Sequence, residues 1–171
     1  MQHMMRMLTI ESGINDRTPL GAAESPKAGF SLFELMIVVA IISTILAIAI
    51  PSYMEGLNTA RIVKATGDIQ MMSVKIDFYR LAHNEYPTTL ADVMYDDRED
   101  PWGYPYEYLR MQGPKTNGAR KDKNLHPLNS DYDLYSVGRD GDSNLPITAK
   151  ASRDDIIRAN NGRFVGLAEN Y

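Results

Sequence analysis

Between Leu35 and Ile50 the chain carries no charge, and Ser43 and Thr44 are the polar side chains in that run. With Phe30 to Glu34 added, the segment reaches 21 residues, close to the ~20 that a helix needs to cross a bilayer. A buried helix of a soluble protein at this length usually shows polar interruptions, so the run predicts membrane insertion. Lys27 and Arg17 lie on its N-terminal side. Basic residues beside a spanning helix stay cytoplasmic, which sends the bulk of this chain across the membrane.

Three uses compete for such a segment. The first is a secretory signal peptide with Ala47–Ala49 as its small-residue cleavage site, which would release a secreted calcium-binding domain. Against it, Glu34 interrupts the apolar region early and a helical pattern resumes straight after Pro51. The second is a plain anchor, which gives Glu34 no role. The third is a helix inserted first and later withdrawn into a protein assembly. An acid in a spanning helix costs ~2.5–3.5 kcal/mol at the bilayer centre, less near an interface, and such residues usually have a partner. Cleavage after Gly29 would expose an α-amino group on Phe30, largely protonated at neutral pH because its ordinary pKa is ~7.7–8. Glu34 is one helical turn away and in reach of that amine, in its own chain or a neighbour's. A charge pair in an otherwise apolar bundle sets axial register.

With 18 basic and 22 acidic residues the net charge is -4, which argues against a nucleic-acid binder. There is no cysteine, so disulfides, thiolate chemistry and cysteine metal sites are excluded.

After Pro51 the residues Ile62, Ala65, Ile69, Met72, Ile76 and Tyr79 recur at spacings of three and four, the mark of one buried helical face. One nearly continuous helix from Phe30 to Arg80 would measure ~75 Å, with Pro51 kinking or loosening it. His83–Val93 reads as a loop followed by a short helix with Thr89 at its N-cap. "DPWGYPYEYLRM" opens as a turn and continues as a strand, and "DYDLYSVG" is a second strand antiparallel to it. Between them, Gln112–Ser130 reads as a solvated loop carrying Lys115, Arg120, Lys121 and Lys123. The predicted class is α+β, one long helix against about three strands. Tyr86, Trp102, Tyr104, Tyr106, Tyr108, Tyr132 and Tyr135 read as packing between helix and sheet.

"KAGFSLFELMIVVAIISTILAIAIP" resembles the N-terminus of type IV pilins and type II secretion pseudopilins. In that family a prepilin peptidase cuts after the glycine, N-methylates the new first residue and requires the acid at the fifth mature position. The resemblance places the cut between Gly29 and Phe30 and makes Glu34 the fifth residue. "EYPT", "DPWGYPYEY" and "DYDLYSVGRDG" further resemble the globular domain of the major pseudopilin of type II secretion. The implied organisation is a leader over 1–29, a transmembrane and filament-core helix over 30–51, and a periplasmic globular domain over 52–171, in a ladle-like shape.

Asp140, Asp142, Asp154 and Asp155 are hard oxygen ligands in Gly-rich turns, suited to calcium, although an Asp-Gly turn is also just a turn. The EF-hand template fails for want of its twelfth-position glutamate. The family resemblance implies a calcium held by Asp140, Asp154, Asp155 and the carbonyls of Val137 and Ser152. This chain departs from the family in the longer stretch Gly141–Arg153 and in lacking the tryptophan that often follows the acid pair. Without cysteine, a divalent ion could close the C-terminal loop through its binding free energy.

No catalytic constellation is visible. His3, His83 and His126 share no motif with a serine nucleophile, and "SVGRDGD" opens no phosphate-binding helix. The resemblance implies a structural subunit, held in the bacterial inner membrane by Phe30–Ile50 and polymerised into a short periplasmic filament that drives protein export. The implied partners are further copies of the chain, the prepilin peptidase, minor pseudopilins and an inner-membrane assembly platform. The alternative is a type IV pilin of an adhesion, motility or DNA-uptake fibre.

Overall fold

The computed structural model describes residues 29–112 and 116–171. Residues 1–28, which hold most of the expected leader with Arg17 and Lys27, and Lys115 in the polar loop lie outside the described residues. Helix α1 runs from Leu32 to His83 and continues through Pro51. It stops where the chain enters the left-handed region at Asn84 (φ 61°), whose amide donates to the Arg80 carbonyl at 2.8 Å. The His83 ring stacks on Tyr79 one turn back, with centroids 4.1 Å apart. The chain forms two compact units, the first ending at Ile42 and the second spanning Ser43–Tyr171.

In the second unit, Ala65, Ile69, Met72 and Ile76 of α1 are fully buried. Their spacing of four, three and four places them on one face, as the sequence pattern requires. They share a core with Leu90, Tyr106, Tyr132, Leu134 and Ile156, while Ile62 packs at its margin. Thr89 precedes a 3₁₀ turn, Leu90–Val93. Thr89 is its N-cap, as expected, and Asp92 completes a capping box, its carboxylate accepting the amides of Thr88 and Thr89 at 2.8 and 3.0 Å.

Strands β1 (Glu107–Arg110), β2 (Tyr132–Ser136), β3 (Ile156–Ala159) and β4 (Phe164–Leu167) form one antiparallel meander in chain order. The β1–β2 pairing is the expected one, with Tyr108 opposite Leu134. The expectation of about three strands is corrected to four. Asn160 and Asn161 adopt positive φ (53° and 56°), the geometry of a tight hairpin turn whose twist matches its strands. This turn joins β3 to β4.

Side chains alternate across a strand. Tyr132 and Leu134 of β2 therefore face the helix, and Tyr86 and Tyr108 lie against the Tyr132 ring at 5.3 and 5.6 Å. On the opposite face, Ile157 and Ala159 are buried with Leu128, Ile147 and Ala168, and Tyr135 and Phe164 pack against them. Leu128 lies in the β1–β2 connection and Ile147 in the β2–β3 connection. These two long connections thus cover the second face of the sheet and give it a core of its own.

The Asp-Pro-Trp-Gly turn is organised by one buried carboxylate. Asp100 Oδ1 accepts the amides of Trp102 and Tyr104, both at 2.9 Å, and Oδ2 accepts the Ser136 hydroxyl at 2.5 Å. That contact ties the turn to the end of β2.

Candidate functional site

Two regions carry the residues singled out in the sequence. In the first unit, Gly29 and Phe30 lie in non-helical backbone just ahead of α1 and are exposed, Phe30 at 84%. Ser31 is the helix cap: its hydroxyl accepts the Glu34 amide at 3.1 Å, and its carbonyl accepts the Leu35 amide at 3.1 Å. Ser31 and Glu34 therefore occupy the first and last places of a capping-box pattern. A carboxylate in the first turn also meets the positive end of the helix dipole. This local place for Glu34 was readable from the Ser-x-x-Glu spacing. The helix is long and apolar enough to cross a membrane, and none of its most apolar window is buried.

In the second unit, the acids expected to hold calcium are each engaged within the protein. Gly138, at φ 73°, brings the following backbone against Asp154. Asp154 Oδ2 accepts the amides of Arg139 and Asp140 at 2.8 and 3.0 Å. Asp140 Oδ1 accepts the Asp142 amide at 3.0 Å. Ser152 ends the 3₁₀ turn Lys150–Ser152; its hydroxyl donates to the Asn144 carbonyl and accepts the Asn144 amide, both at 2.9 Å. Val137 is half-buried after β2.

Asp155 is fully buried, and its Oδ2 accepts from Arg120 Nη2 at 2.5 Å and from the Ser143 hydroxyl at 2.6 Å. Burial pushes its carboxyl up to about 6, against the opposing pull of Ser143 and Arg120. Among the described residues, no three carboxylates or imidazoles converge on a common point suited to a metal ion. Asp155, the most buried of the expected ligands, does not fit calcium as placed, because it already faces a cation.

That cation was misjudged in the sequence, where Arg120 reads as part of a solvated basic loop. Arg120 is 2% exposed. Its Nη1 donates to the Asn144 carbonyl at 2.8 Å and to the Ser143 hydroxyl, and its guanidinium lies 4.4 Å from the Tyr135 ring centroid. Its amide donates to Asp133 Oδ2 at 2.6 Å. Asp133, also buried, accepts Asn129 Nδ2 on its other oxygen at 2.8 Å. The neighbouring Lys121 pairs with the β2–β3 connection, its amide donating to the Leu145 carbonyl at 2.8 Å and its carbonyl accepting the Ile147 amide at 3.0 Å. The buried residues Ala119 and Leu128 that bracket the basic run were the available signal that part of this loop turns inward.

Comparison with known proteins bears on both regions. Residues 25–50 match the prokaryotic N-terminal methylation motif, which encloses Gly29, Phe30 and Glu34. Residues 52–151, more than half of the chain, match the family described as type II secretion system (T2SS), protein G. A type II secretion system core protein G of Pseudomonas aeruginosa is 29% identical, over 67% of this chain and 85% of the relative. One from Escherichia coli (strain K12) is 29% identical over 70% and 87%, and one from Vibrio cholerae 27% identical over 67% and 82%. No solved structure matches the chain. With the methylation motif on its first helix and the protein G domain behind it, the chain belongs to the type II secretion system protein G family, the major pseudopilins.

Proposed function

We propose that this chain is made as a prepilin, cut between Gly29 and Phe30, N-methylated on Phe30, and polymerised from the inner membrane into a periplasmic pseudopilus. Its role is structural, with no chemistry of its own. The observation that carries this reading is the pairing of the methylation motif with a helix whose apolar half is wholly uncovered in the single chain. Such a surface needs lipid before assembly and neighbouring copies after it, because exposed apolar area on this scale is costly in water. Phe30–Ile50 serves as the anchor, and the globular domain stands on the periplasmic side. In the filament, Glu34 pairs with the methylated amine of Phe30 and fixes the axial step between subunits. Further partners are the prepilin peptidase, minor pseudopilins and the assembly platform.

Mass spectrometry of the mature protein tests the processing step, with a methylated Phe30 as the expected N-terminus; an N-terminus at Ile50 would instead indicate signal-peptidase release. A deletion strain separates secretion from a pilus role: loss of export with normal surface pili is expected, and the reverse would favour a type IV pilin.

A further inference from the structure

We propose that Arg120 supplies, as a fixed internal cation, the closure of the C-terminal loops that a calcium ion would be expected to provide, so that this chain folds without a metal. The guanidinium contacts a carboxylate (Asp155), a backbone carbonyl (Asn144) and a hydroxyl (Ser143). These are the hard oxygen types that calcium gathers. Arginine presents five donors in a rigid fork and keeps its charge when buried, and the Tyr135 ring flanks its plane.

Neither charge can turn to water, since Arg120 is 2% exposed and Asp155 0%. Each is therefore the other's compensation. Arg120 Nε and Asp155 Oδ1 are both buried without a hydrogen-bond partner. One is a donor and the other an acceptor, and they are the two atoms that a side-on, two-bond arginine–carboxylate pairing would join to the existing Nη2–Oδ2 bond. A divalent ion at Asp155 would have to displace the guanidinium or sit beside it in a low-dielectric site, where like charges repel strongly.

The chain's departure in spacing fits the same account. Ser143 and Asn144 lie inside Gly141–Arg153, the stretch that is longer than the resemblance leads one to expect. The extra length carries the acceptors for the arginine. The clamp joins three pieces of the fold: the β1–β2 connection through Arg120, the β2–β3 connection through Ser143 and Asn144, and the entry to β3 through Asp155. Together these hold the cover of the sheet's second face.

The test is a thermal melt of the full mature chain in detergent, with calcium and then with chelator. Wild type is expected to melt within about 1 °C of the same temperature in both, since a ligand that does not bind shifts nothing. A rise of several degrees in calcium, lost with chelator, overturns the proposal. Arg120→Met is expected to lower the melting temperature by about 10 °C, as loss of one partner of a buried pair does. Arg120→Met melting like wild type also overturns it. The double variant Arg120→Met with Asp155→Leu is expected to recover at least half of that loss, because no buried charge is then left alone. A double variant less stable than Arg120→Met refutes the pairing. Should the single variant fail to fold, the wild-type comparison and the double variant decide.

Discussion

The Tyr106 hydroxyl donates to the Asp68 carboxylate across 3.1 Å, joining the buried face of α1 to the segment that leads into β1. Arg98 donates to the other oxygen of Asp68 at 2.7 Å. Asp68 sits one residue before Ile69, in the middle of the helix's apolar face, where an unpaired carboxylate would be expensive. Burial first, and the adjacent Asp68 charge second, push the Tyr106 phenol above its ordinary value. Tyr106→Phe should cost ~1 kcal/mol by losing one hydrogen bond, and Asp68→Ala ~2–3 kcal/mol because two donors lose their acceptor. Urea unfolding of both variants checks the order; equal losses would mean that Arg98 contributes nothing to the difference.

Gly138 and Gly103 both have positive φ, at 73° and 93°, but differ in their surroundings. A Cβ at Gly138 would lie 2.3 Å from the Asp154 carbonyl oxygen, whereas nothing lies within 4 Å of one at Gly103. Gly103→Ala should cost only the left-handed backbone penalty, ~1–2 kcal/mol. Gly138→Ala should cost more than twice that, since the backbone of the Asp154 turn must shift as well. The paired melting temperatures test it, and equal shifts would show that the Asp154 turn gives way freely.

The elements legible in the sequence were those with local signals: the apolar run, the three-four spacing of Ala65, Ile69, Met72 and Ile76, and the alternation in β2. The β3–β4 hairpin was not foreseen, although Asn160-Asn161-Gly162 is a turn signal between Ile157 and Phe164. The adjacent Asp154 and Asp155 read as ligands, and a four-residue strand such as Ile156–Ala159 has little periodicity to show. Arg120 was missed for a deeper reason. Its partners Ser143, Asn144 and Asp155 lie 23 to 35 residues away, and no local pattern separates an arginine that turns inward from Lys123, which remains outside.

Asp133 gives a pH dependence of unusual sign. Burial raises its carboxyl above the ordinary value, more than the hydrogen bonds from Asn129 and the Arg120 amide lower it. The folded state thus holds this proton more tightly than the unfolded state does. Its favourable contribution is complete below the unfolded carboxylate range, ~3.9, and is lost as pH rises through the higher folded-state value. The stability of wild type relative to Asp133→Asn should therefore fall as pH is raised from about 4 toward neutrality. Melts of the two proteins in matched buffers give the difference directly; a difference that grows with pH would show that the hydrogen bonds outweigh burial.

Ser31 and Glu34 separate helix capping from assembly. Ser31→Ala removes the acceptor of the Glu34 amide and should weaken the start of α1 by ~1 kcal/mol, seen as faster hydrogen exchange at the first-turn amides. Filaments should still form, because the carboxylate remains. Glu34→Gln keeps the side chain's shape and removes its charge, so the proposed pairing with a methylated Phe30 amine would be lost. The expected outcome is an unchanged melt of the globular domain, normal insertion in the membrane, and loss of filaments in electron micrographs. If Glu34→Gln polymerises as well as wild type, register is set by apolar packing along Leu35–Ile50, and the acid acts only at the first turn of the helix.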